Sequence, residues 1–475
     1  MAENGNGTNT QIRKVVMIMS DSFRRDCLPG IGKKWVHTPV LDAFAQKAVT
    51  FNKAYAGSFP TVPNRADIMT GRWAYQFMAW EPLPRHLPTM AETLSSAGCI
   101  TQSIQDTPVT INNAFNFDRG FQGWQWIRGQ DSDNNRSDYT GNVQLLPCTP
   151  TKLRQGSRLE RRHWLNQHFR RNERDTLVAQ TMSSAVDWLE ANYKHDEFFL
   201  YVDTFDPHEP WDAPEYYLRL YEQEYHGDEV TYPNYWRTSR YKPEEVIHAR
   251  NLYRAEVTLV DHWLGDVLRK IDTLGIADET AIILTSDHGF YFGEHNYLGK
   301  WGEENDPIPI YDEVGGIVMM VYLPGKQYKH GGQCDALVQP VDFLPTIFDL
   351  MGKDKPQWAQ GHSMVPLLKT RGGVNALHEM TGTSTRLIDS SIKVHTAMQG
   401  GFVSITDGEW TLMYGQGGVL PSELYHTAAD PKQLKNVIRK NAPVVARLHD
   451  WWAENVNQLD VTDAVRETHK IKPLV

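Results

Sequence analysis

The sequence predicts a doubly wound α/β fold, in which a mostly parallel sheet lies between layers of helices. Continuous apolar runs at 15–19, 198–202, 281–284 and 316–323 are typical of strands that are buried on both faces. Helical patterns at 176–193 and 244–274 lie between these runs. Because strands and helices alternate along the chain, the pattern favours a parallel sheet with crossover helices.

The composition is that of a globular protein with a large core. Of 475 residues, 40% are hydrophobic and 22% are charged, so the chain needs neither disulfides nor a structural metal to fold. A formal net charge of −10 argues against a nucleic-acid-binding protein, which would carry a basic excess. The simplest reason for this charge is solubility. Anionic substrates are still compatible with it, because a bound metal ion can make the electrostatic potential positive within one cleft.

The polarity of the sequence divides the chain into three parts. Residues 1–12 are rich in Gly and Asn and predict a disordered tail, and residues 13–375 carry the α/β pattern of the catalytic domain. Residues 376–475 predict a smaller C-terminal subdomain, with a small antiparallel sheet around 400–414 and a helix at about 432–455. A polar segment at about 128–175 is predicted to be an insertion, either functional or only a solvated excursion or oligomer contact.

Cysteine usage and hydropathy predict a soluble, cytoplasmic protein. Cys27, Cys99, Cys148 and Cys334 are scattered and form no Cys-x-x-Cys pair, as expected for core thiols of a reducing compartment. The first residues lack the apolar run of a signal peptide, and the longest apolar stretch is far shorter than the ~20 residues of a membrane span. We therefore expect no membrane and no nucleic-acid partner, while a homo-oligomer stays open.

Metal-capable side chains follow three of the predicted strands. Asp21 follows the first, Asp203 or Asp206 the second, and Asp287 with His288 the third. Ligands of open α/β sheets bind beyond the carboxyl ends of the strands, so these residues are expected to face one crevice. A single strand-end aspartate is usually a turn or capping residue, but the agreement of three strands favours a ligand site.

A short helix with Thr61 at its amino end is predicted within residues 58–72. Pro63 suits a first helical position, and Gly71 suits a helix stop. Helix amino ends bind anions through free N–H groups, and Arg65 one turn later can meet a phosphate or sulfate. Taken alone, the same residues are a capping threonine and a surface arginine.

This segment resembles the sulfatase signature, in which a Cys or Ser is followed by x-Pro-x-Arg and then by Thr-Gly-Arg. Other family blocks resemble residues 21–26, 38–42, 51–55, 206–210, 285–289, 293–295, 299–300 and 423–436, in the same order. The resemblance covers roughly residues 13–440. The chain is similar to the sulfatase branch of the alkaline phosphatase superfamily, nearest its phosphonate monoester hydrolase and phosphodiesterase subgroup, which implies an alkaline-phosphatase-like fold.

The nucleophile position departs from the sulfatase pattern. Sulfatases oxidise a Cys or Ser to formylglycine, whose hydrate expels sulfate by C–O cleavage, whereas Thr61 cannot form that aldehyde. A threonine–sulfate ester would be hydrolysed slowly at sulfur, but a threonine–phosphate ester can be attacked at phosphorus. Because related phosphodiesterases and phosphoethanolamine transferases use threonine nucleophiles, the resemblance implies a phosphoryl enzyme.

The metal segments also depart from those of calcium sulfatases. Ser22 stands in place of a second aspartate, and His288 stands in place of an asparagine. The implied metal ligands are Asp21, Thr61, Asp287 and His288. A nitrogen donor with only two carboxylates suits one divalent Zn²⁺ or Mn²⁺ ion better than Ca²⁺, which takes about six to eight oxygen ligands. A structural Asp-His pair is the alternative.

By the same resemblance, His208 and Lys300 line the pocket beside the metal. Lys300 can neutralise a non-bridging oxygen, and His208 can bind the ester or protonate the leaving group. Thr107 lies where arylsulfatases carry sulfate-binding residues and is a candidate for substrate binding. The predicted catalytic residues are thus Thr61, Arg65, His208 and Lys300, with Thr107, His208 and Lys300 on the substrate; Asp203 and His295 are left outside this set.

The predicted function is metal-dependent hydrolysis of a small-molecule phosphate ester, either a phosphodiester or a phosphonate monoester, by double displacement. The metal and Arg65 would hold the phosphoryl group while Thr61 attacks, and water would then cleave the phospho-Thr61 intermediate. The alternatives are a sulfatase that acts on sulfate esters without formylglycine, a phosphotransferase, and a non-catalytic binding protein. Phosphotransferase relatives usually carry membrane helices, and the retained metal segments argue against a dead site.

Overall fold

The computed structural model describes residues 12–32, 34–137, 148–301, 308–385, 402–415 and 421–458 of the chain. Its strands are β1 (Lys14–Ser20), β2 (Val49–Ala54), β3 (Ser58–Phe59), β4 (Ile100–Gln105), β5 (Gly123–Trp126), β6 (Phe198–Thr204), β7 (Trp236–Arg237), β8 (Thr280–Ser286), β9 (Tyr291–Phe292), β10 (Tyr297–Gly299), β11 (Met319–Tyr322), β12 (Gln333–Val338), β13 (Thr381–Thr385), β14 (Phe402–Thr406), β15 (Trp410–Gly415) and β16 (Glu423–His426). Its α-helices are α1 (Pro39–Ala45), α2 (Thr61–Thr70), α3 (Met90–Ser96), α4 (Pro108–Ile111), α5 (Arg158–Gln167), α6 (Leu177–Asn192), α7 (Glu215–Leu218), α8 (Pro243–Thr273), α9 (Asp312–Gly315), α10 (Phe343–Leu350), α11 (Val365–Leu368) and α12 (Ala442–Gln458).

The largest sheet has eight strands in the order β12-β2-β11-β8-β1-β6-β4-β5. β1 is parallel to both neighbours, and β4 is parallel to β6 and β5. β11 is antiparallel to both of its neighbours, whereas β12 is parallel to β2. The predicted mostly parallel sheet is confirmed. The fourth apolar run forms a strand only from Met319, because Gly316 and Ile317 make isolated bridges to Tyr55 and Arg24.

Helices cover both faces of this sheet, as the alternating directions of the β1 side chains require. Val16 and Ile18 pack in a core with α1, α6 and α8. Val15 and Met17 pack in the opposite core with α2, α3 and α10. The helices predicted at 176–193 and 244–274 are observed as α6 and α8, and α8 has Pro243 at its first position, where proline is favoured.

A second sheet has five strands in the order β16-β15-β14-β13-β3. Four of its strands come from the C-terminal part of the chain, and α12 packs against them through Leu448 and Trp452. The fifth strand, β3, pairs parallel to β13 and immediately precedes α2. The C-terminal sheet therefore reaches the segment that carries Thr61.

The two ends of the chain differ from the prediction in detail. The helix expected from about 432 begins only at Ala442, because the N–H of Lys435 donates to Asp430 Oδ2 at 2.7 Å and closes a turn there. Ile12, assigned to the tail, is buried in the core, and residues 1–11 of that predicted tail lie outside the described residues. The domain boundary near residue 375 stays a prediction.

The described part of the predicted insertion is attached to the rest of the protein. Lys152 Nζ lies 2.6 Å from carboxylate oxygens of both Asp228 and Glu245, and Leu153 forms a bridge with Pro233. Residues 138–147 of the insertion lie outside the described residues. A functional role or an oligomer contact of this segment stays a prediction.

The described helices include none with the length and apolarity that crossing a membrane requires. All four thiols are free; Cys27, Cys99 and Cys148 are buried and Cys334 is half-buried. The cytoplasmic location and the homo-oligomer stay predictions.

Candidate active site

The register of the parallel strands brings the predicted strand-end residues to one edge of the large sheet. Met19 of β1 lies opposite both Asp203 of β6 and Thr285 of β8. Asp21 and Asp287 follow the two neighbouring strands β1 and β8, and both are fully buried. The register therefore places carboxylates from three adjacent strands at one edge of the sheet, and a ligand crevice at that edge stays a prediction.

Asp21, Asp287 and His288 form a cluster in which one ligand atom of each residue lies within 4.8 Å of the others. Ser22, in the place of a second aspartate, donates its hydroxyl to Asp21 Oδ1 at 2.7 Å and its N–H to Asp287 Oδ1 at 2.9 Å. Ser22 therefore orients two carboxylates and adds no third one.

The donor atoms of this cluster fit a divalent metal ion. Asp21 Oδ2 is buried and has no hydrogen bond to any described residue; it forms an ion pair with Arg65 Nη1 at 3.1 Å. His288 Nδ1 donates to the carbonyl of Gly289 at 3.0 Å, which leaves a lone pair on Nε2. Burial lowers the pKa of His288 to about 4, so the ring is neutral, as a metal ligand must be. Burial and the Asp287 charge raise the pKa of Asp21, and a bound cation would relieve that repulsion.

Thr61 lies beside this cluster. Its hydroxyl oxygen is 3.4 Å from His288 Nε2, and it is the first residue of α2. The helix therefore begins at Thr61 and not at Pro63, whose missing N–H costs nothing within the first turn. Asn64 Nδ2 donates to the carbonyl of Asp287 at 3.0 Å and docks the helix on the end of β8. The predicted stop at Gly71 is confirmed by its left-handed φ of 64°.

The turn from β3 into α2 is held by a buried carboxylate that the sequence argument did not select. Asp67 accepts the N–H of Ser58 at 2.6 Å, the Ser58 hydroxyl at 2.7 Å and the N–H of Ala74 at 2.6 Å. Burial outweighs these bonds and raises the pKa of Asp67 to about 7. This network fixes the position of Thr61 relative to β3.

Arg65 is buried and is bonded to carboxylates of the site. Its Nε and Nη2 donate to Asp203 at 2.7 Å each, and its Nη1 donates to Asp287 Oδ2 at 2.8 Å and to the Thr61 carbonyl at 3.2 Å. Through these bonds, Arg65 holds the carboxylates of Asp203 and Asp287 in position. A direct contact between Arg65 and a phosphoryl group stays a prediction.

Asp203, which the sequence argument left outside the predicted set, connects several residues of the site. Besides Arg65, it accepts the Thr107 hydroxyl at 2.8 Å and the Tyr201 hydroxyl at 2.8 Å. The sequence feature that points to Asp203 is its place at the end of the second apolar strand. The Thr107 hydroxyl proton is used in this bond, and the role of Thr107 toward a substrate stays a prediction.

Replacing Asp203 with alanine is expected to destabilise the fold by about 3–5 kcal/mol, because it leaves the buried Arg65 charge short of its main partner. Chemical denaturation of the purified variant measures this change. Glu215→Ala is the matched control: it breaks an ion pair with Arg219 at 2.6 Å whose two side chains are 73% and 62% exposed, and such pairs contribute about 1 kcal/mol or less. A loss for Asp203→Ala no larger than the control would contradict the structural role.

Lys300 and His208 both lie next to Glu209. Lys300 Nζ is 3.9 Å from Asp21 Oδ1 and 3.6 Å from Glu209 Oε2. His208 stacks on Phe205 at a centroid distance of 3.8 Å and donates from Nδ1 to the carbonyl of Glu209. Burial, and next to it the charge of Lys300, lowers the pKa of His208 well below its ordinary value. The structure thus places Lys300 beside Asp21 and His208 beside Glu209, and the role of each toward a substrate stays a prediction.

Glu209 is a further site residue that the sequence argument did not assign. Its side chain is fully buried, its Oε1 accepts the Tyr235 hydroxyl, and its Oε2 has no hydrogen bond within the described parts of the chain. It follows His208 directly, so its place in the histidine loop was the available signal. Glu209 fixes the Lys300 ammonium and the His208 ring at once.

Comparisons with known proteins find similarity along most of the chain. The family model described as Sulfatase matches residues 13–353, and a model described as N-sulphoglucosamine sulphohydrolase, C-terminal, matches residues 299–459. The arylsulfatase of Clostridium perfringens is 24% identical over 473 residues, covering 89% of this chain and 90% of that protein.

Two solved structures share the fold. The phosphonate monoester hydrolase of Agrobacterium radiobacter superposes with a TM-score of 0.73 at 21% identity, covering 96% of each chain. A protein solved in complex with its substrate D-glucosamine-2-N,6-O-disulfate superposes with a TM-score of 0.71 at 18% identity, covering 94% of this chain and 98% of that one. The similarity therefore extends along the whole fold, and phosphonate and sulfate ester hydrolases are both among the proteins that share it.

Proposed function

The chain belongs to the sulfatase family of hydrolases, and on that premise we propose that it hydrolyses phosphate esters through a covalent phospho-threonine. The substrate is a small-molecule phosphodiester or phosphonate monoester. The observation that carries the proposal is Thr61, whose hydroxyl lies at the start of α2, 3.4 Å from His288 Nε2. A hydroxyl nucleophile at this place divides one difficult displacement into two easier ones.

The side chain of Thr61 is the reason to prefer phosphorus over sulfur. Threonine cannot be oxidised to the aldehyde from which sulfate is released by C–O cleavage, so a sulfated Thr61 would have to be attacked at sulfur. A phosphorylated Thr61 can be attacked at phosphorus in the second displacement. The proposal therefore requires no modification of the chain.

Members of this family depend on a divalent metal ion, and Asp21, Asp287 and His288 would hold it together with the Thr61 oxygen. The mixed nitrogen and oxygen donors favour Zn²⁺ or Mn²⁺ over Ca²⁺. When bound, the ion would supply Lewis-acid chemistry by withdrawing charge from the ester oxygens.

The residues of the chain act in two displacements. First, Thr61 Oγ1 forms a bond to phosphorus while the bond from phosphorus to the alcohol oxygen breaks; the Thr61 proton goes to solvent and the departing alkoxide takes a proton from water. Then a water oxygen attacks phosphorus, the bond to Thr61 Oγ1 breaks, and the hydroxyl is restored. Arg65 keeps Asp203 and Asp287 in place during both steps. Lys300 provides a positive charge for a non-bridging oxygen.

The neutral form of His208 is poorly suited to protonating the leaving group. Its proton is held on Nδ1 by the Glu209 carbonyl, so the neutral ring offers only an acceptor at Nε2. Proton donation from Nε2 would need the imidazolium, which burial and the nearby Lys300 charge oppose. This argues against the second of the two roles expected for His208. Binding of the ester by His208 stays a proposal, and it would use a bridging water or ring contact, because the ester oxygens are themselves acceptors.

A sulfatase that works without formylglycine is the second candidate. The similarity to arylsulfatases favours this candidate, because the match to the Clostridium perfringens protein covers most of both chains. In that case Thr61 would be sulfated and water would have to attack sulfur, a slow step. The two candidates make opposite predictions about which ester turns over faster.

The deciding experiment compares kcat/KM for bis(4-nitrophenyl) phosphate, 4-nitrophenyl phenylphosphonate and 4-nitrophenyl sulfate, which share one leaving group. We expect the phosphorus esters to be preferred after loading with Zn²⁺ or Mn²⁺. Faster turnover of the sulfate would overturn the proposal in favour of the second candidate. Adding a simple alcohol to the assay detects transfer, because an alkyl phosphate would then form beside the hydrolysis product.

Replacing Lys300 with alanine is expected to lower kcat on the preferred ester by about 10²–10³, the usual effect of losing one preorganised charge donor. Steady-state kinetics measure the loss, and thermal unfolding shows whether the fold survives. Lys353→Ala is the control, since Lys353 pairs with Glu197 at 2.9 Å outside the cluster and should keep the wild-type rate. Unchanged turnover for Lys300→Ala would remove Lys300 from the pocket.

A further inference from the structure

Arg154 lies in the predicted insertion, on a short segment whose backbone is fixed against residues 232–234. Its N–H donates to the Tyr232 carbonyl at 2.9 Å. On the same segment, Leu153 forms a bridge with Pro233, and the carbonyl of Lys152 accepts the N–H of Asn234 at 2.8 Å. The backbone of residues 152–154 is therefore held against residues 232–234.

The guanidinium of Arg154 is held by aromatic rings. Its Cζ lies 4.0 Å from the ring centroid of Tyr235 and 5.2 Å from that of Trp301, and the residue is half-buried. Among the described residues, none forms a hydrogen bond or an ion pair with this side chain. Stacking uses the faces of the guanidinium plane, so its in-plane N–H donors stay available to a ligand.

Glu209, the carboxylate bonded to Tyr235, contacts groups other than Arg154. Glu209 accepts the Tyr235 hydroxyl and lies 3.6 Å from Lys300 Nζ. Arg154 stacks on the same Tyr235 but is not paired with Glu209. Within the described residues, the guanidinium of Arg154 therefore rests against Tyr235 and Trp301 without a carboxylate partner.

Two ring contacts connect Arg154 to the metal cluster. Trp301 directly follows Lys300 and packs against Phe59 at a centroid distance of 6.3 Å. Phe59 in turn packs against the His288 ring at 5.1 Å. Arg154 is therefore separated from His288 by two aromatic rings, those of Trp301 and Phe59.

We propose that Arg154, with Tyr235 and Trp301, forms a subsite for a second oxoanion carried by the organic part of the substrate. A carboxylate or a sulfonate-type group matches the planar fork of N–H donors, which binds such groups through two parallel hydrogen bonds. The inference deepens the proposed function, on which it rests, by assigning a doubly anionic substrate class. Arg154 acts on specificity and is not a catalytic residue.

The test measures binding by calorimetry and so does not depend on turnover. The probes are phenylphosphonate, its 3- and 4-carboxy derivatives, and its 3- and 4-sulfo derivatives, with the metal-loaded wild-type protein and Arg154→Met. Methionine keeps an unbranched side chain over the rings but removes the charge. Arg240→Met is the matched control, because Arg240 is an exposed arginine over Trp236 at 4.8 Å.

We expect Arg154→Met to weaken at least one carboxy or sulfo derivative by roughly 10- to 100-fold, the scale of a charge-assisted hydrogen bond, and to leave phenylphosphonate within about twofold. The derivative that loses most identifies the oxoanion. An equal effect on all probes, no effect, or the same loss in Arg240→Met would overturn the subsite. If phosphorus esters are not turned over but the selective loss persists, the proposed function fails and the subsite stands.

Discussion

Replacing Thr61 with alanine is expected to abolish turnover of phosphorus esters, with a loss of kcat on the order of 10⁶, the scale seen when a covalent nucleophile is removed. The physical reason is that no other hydroxyl is placed against His288 by the hydrogen bonds within the described residues. The fold should survive, because Thr61 contributes a hydroxyl and one methyl group to a helix start held mainly by Asp67 and Asn64. Steady-state rates and denaturation midpoints of the same preparation measure both effects.

Two further variants test whether the loss comes from the Thr61 hydroxyl itself. Thr61→Ser keeps the hydroxyl and should retain part of the activity. Thr70→Ala, at the other end of α2, removes a hydroxyl that donates to the Ala66 carbonyl at 2.7 Å and should change the rate only slightly. Mass spectrometry of the denatured enzyme after a rapid quench should find a phosphoryl group on the peptide with Thr61. Substantial activity in Thr61→Ala would contradict covalent catalysis at this position.

Replacing Asp287 with asparagine is expected to reduce the bound metal to a small fraction of one ion per chain and to lower kcat by about 10³ or more. A Lewis acid contributes several kcal/mol to charge stabilisation in such reactions. Asparagine preserves the shape of the side chain but removes the charge that faces Asp21 and Arg65. Metal analysis after loading with Zn²⁺ or Mn²⁺ gives the stoichiometry, and kinetics on the same samples give the rate.

Asp312→Asn is the matched control, because Asp312 pairs with Arg25 at 2.6 Å outside the cluster and should leave the metal content at one ion per chain. Stoichiometric Ca²⁺ in the wild-type protein, or two metal ions per chain, would contradict the predicted site. So would an Asp287→Asn protein that keeps its metal.

The large sheet can be predicted from the sequence because its central strands are buried on both faces. Such strands appear as uninterrupted apolar runs, and the residue after each run is placed at a common edge by parallel pairing. That argument places Asp21, Asp287 and His288 at this edge together with Asp203 or Asp206, and the resemblance to a family was needed to select the metal ligands among them. Thr61 needed the resemblance to a family, because a threonine at a helix start is otherwise an ordinary cap.

The partners of these residues could not be predicted in the same way. The bonds of Arg65 to Asp203 and the contact of Lys300 with Glu209 join residues that are far apart in sequence and on different elements of the fold. Whether a buried arginine meets a substrate or a neighbouring carboxylate depends on distances of one or two ångströms. The start of α12 was missed for a more local reason, the turn closed by the Asp430 carboxylate.

The pairing of β3 with β13 has a consequence for how the enzyme is made. Ser58 pairs with Ser384, so the strand that leads into Thr61 is completed by residues near the other end of the chain. During synthesis, the nucleophile segment leaves the ribosome long before its partner strand exists. The growing chain can form β1, β6 and β8 while this edge is still open. Catalytic competence is therefore acquired late, when the C-terminal sheet docks, and a chain that terminates before residue 381 would carry every proposed catalytic residue without the strand that holds its nucleophile.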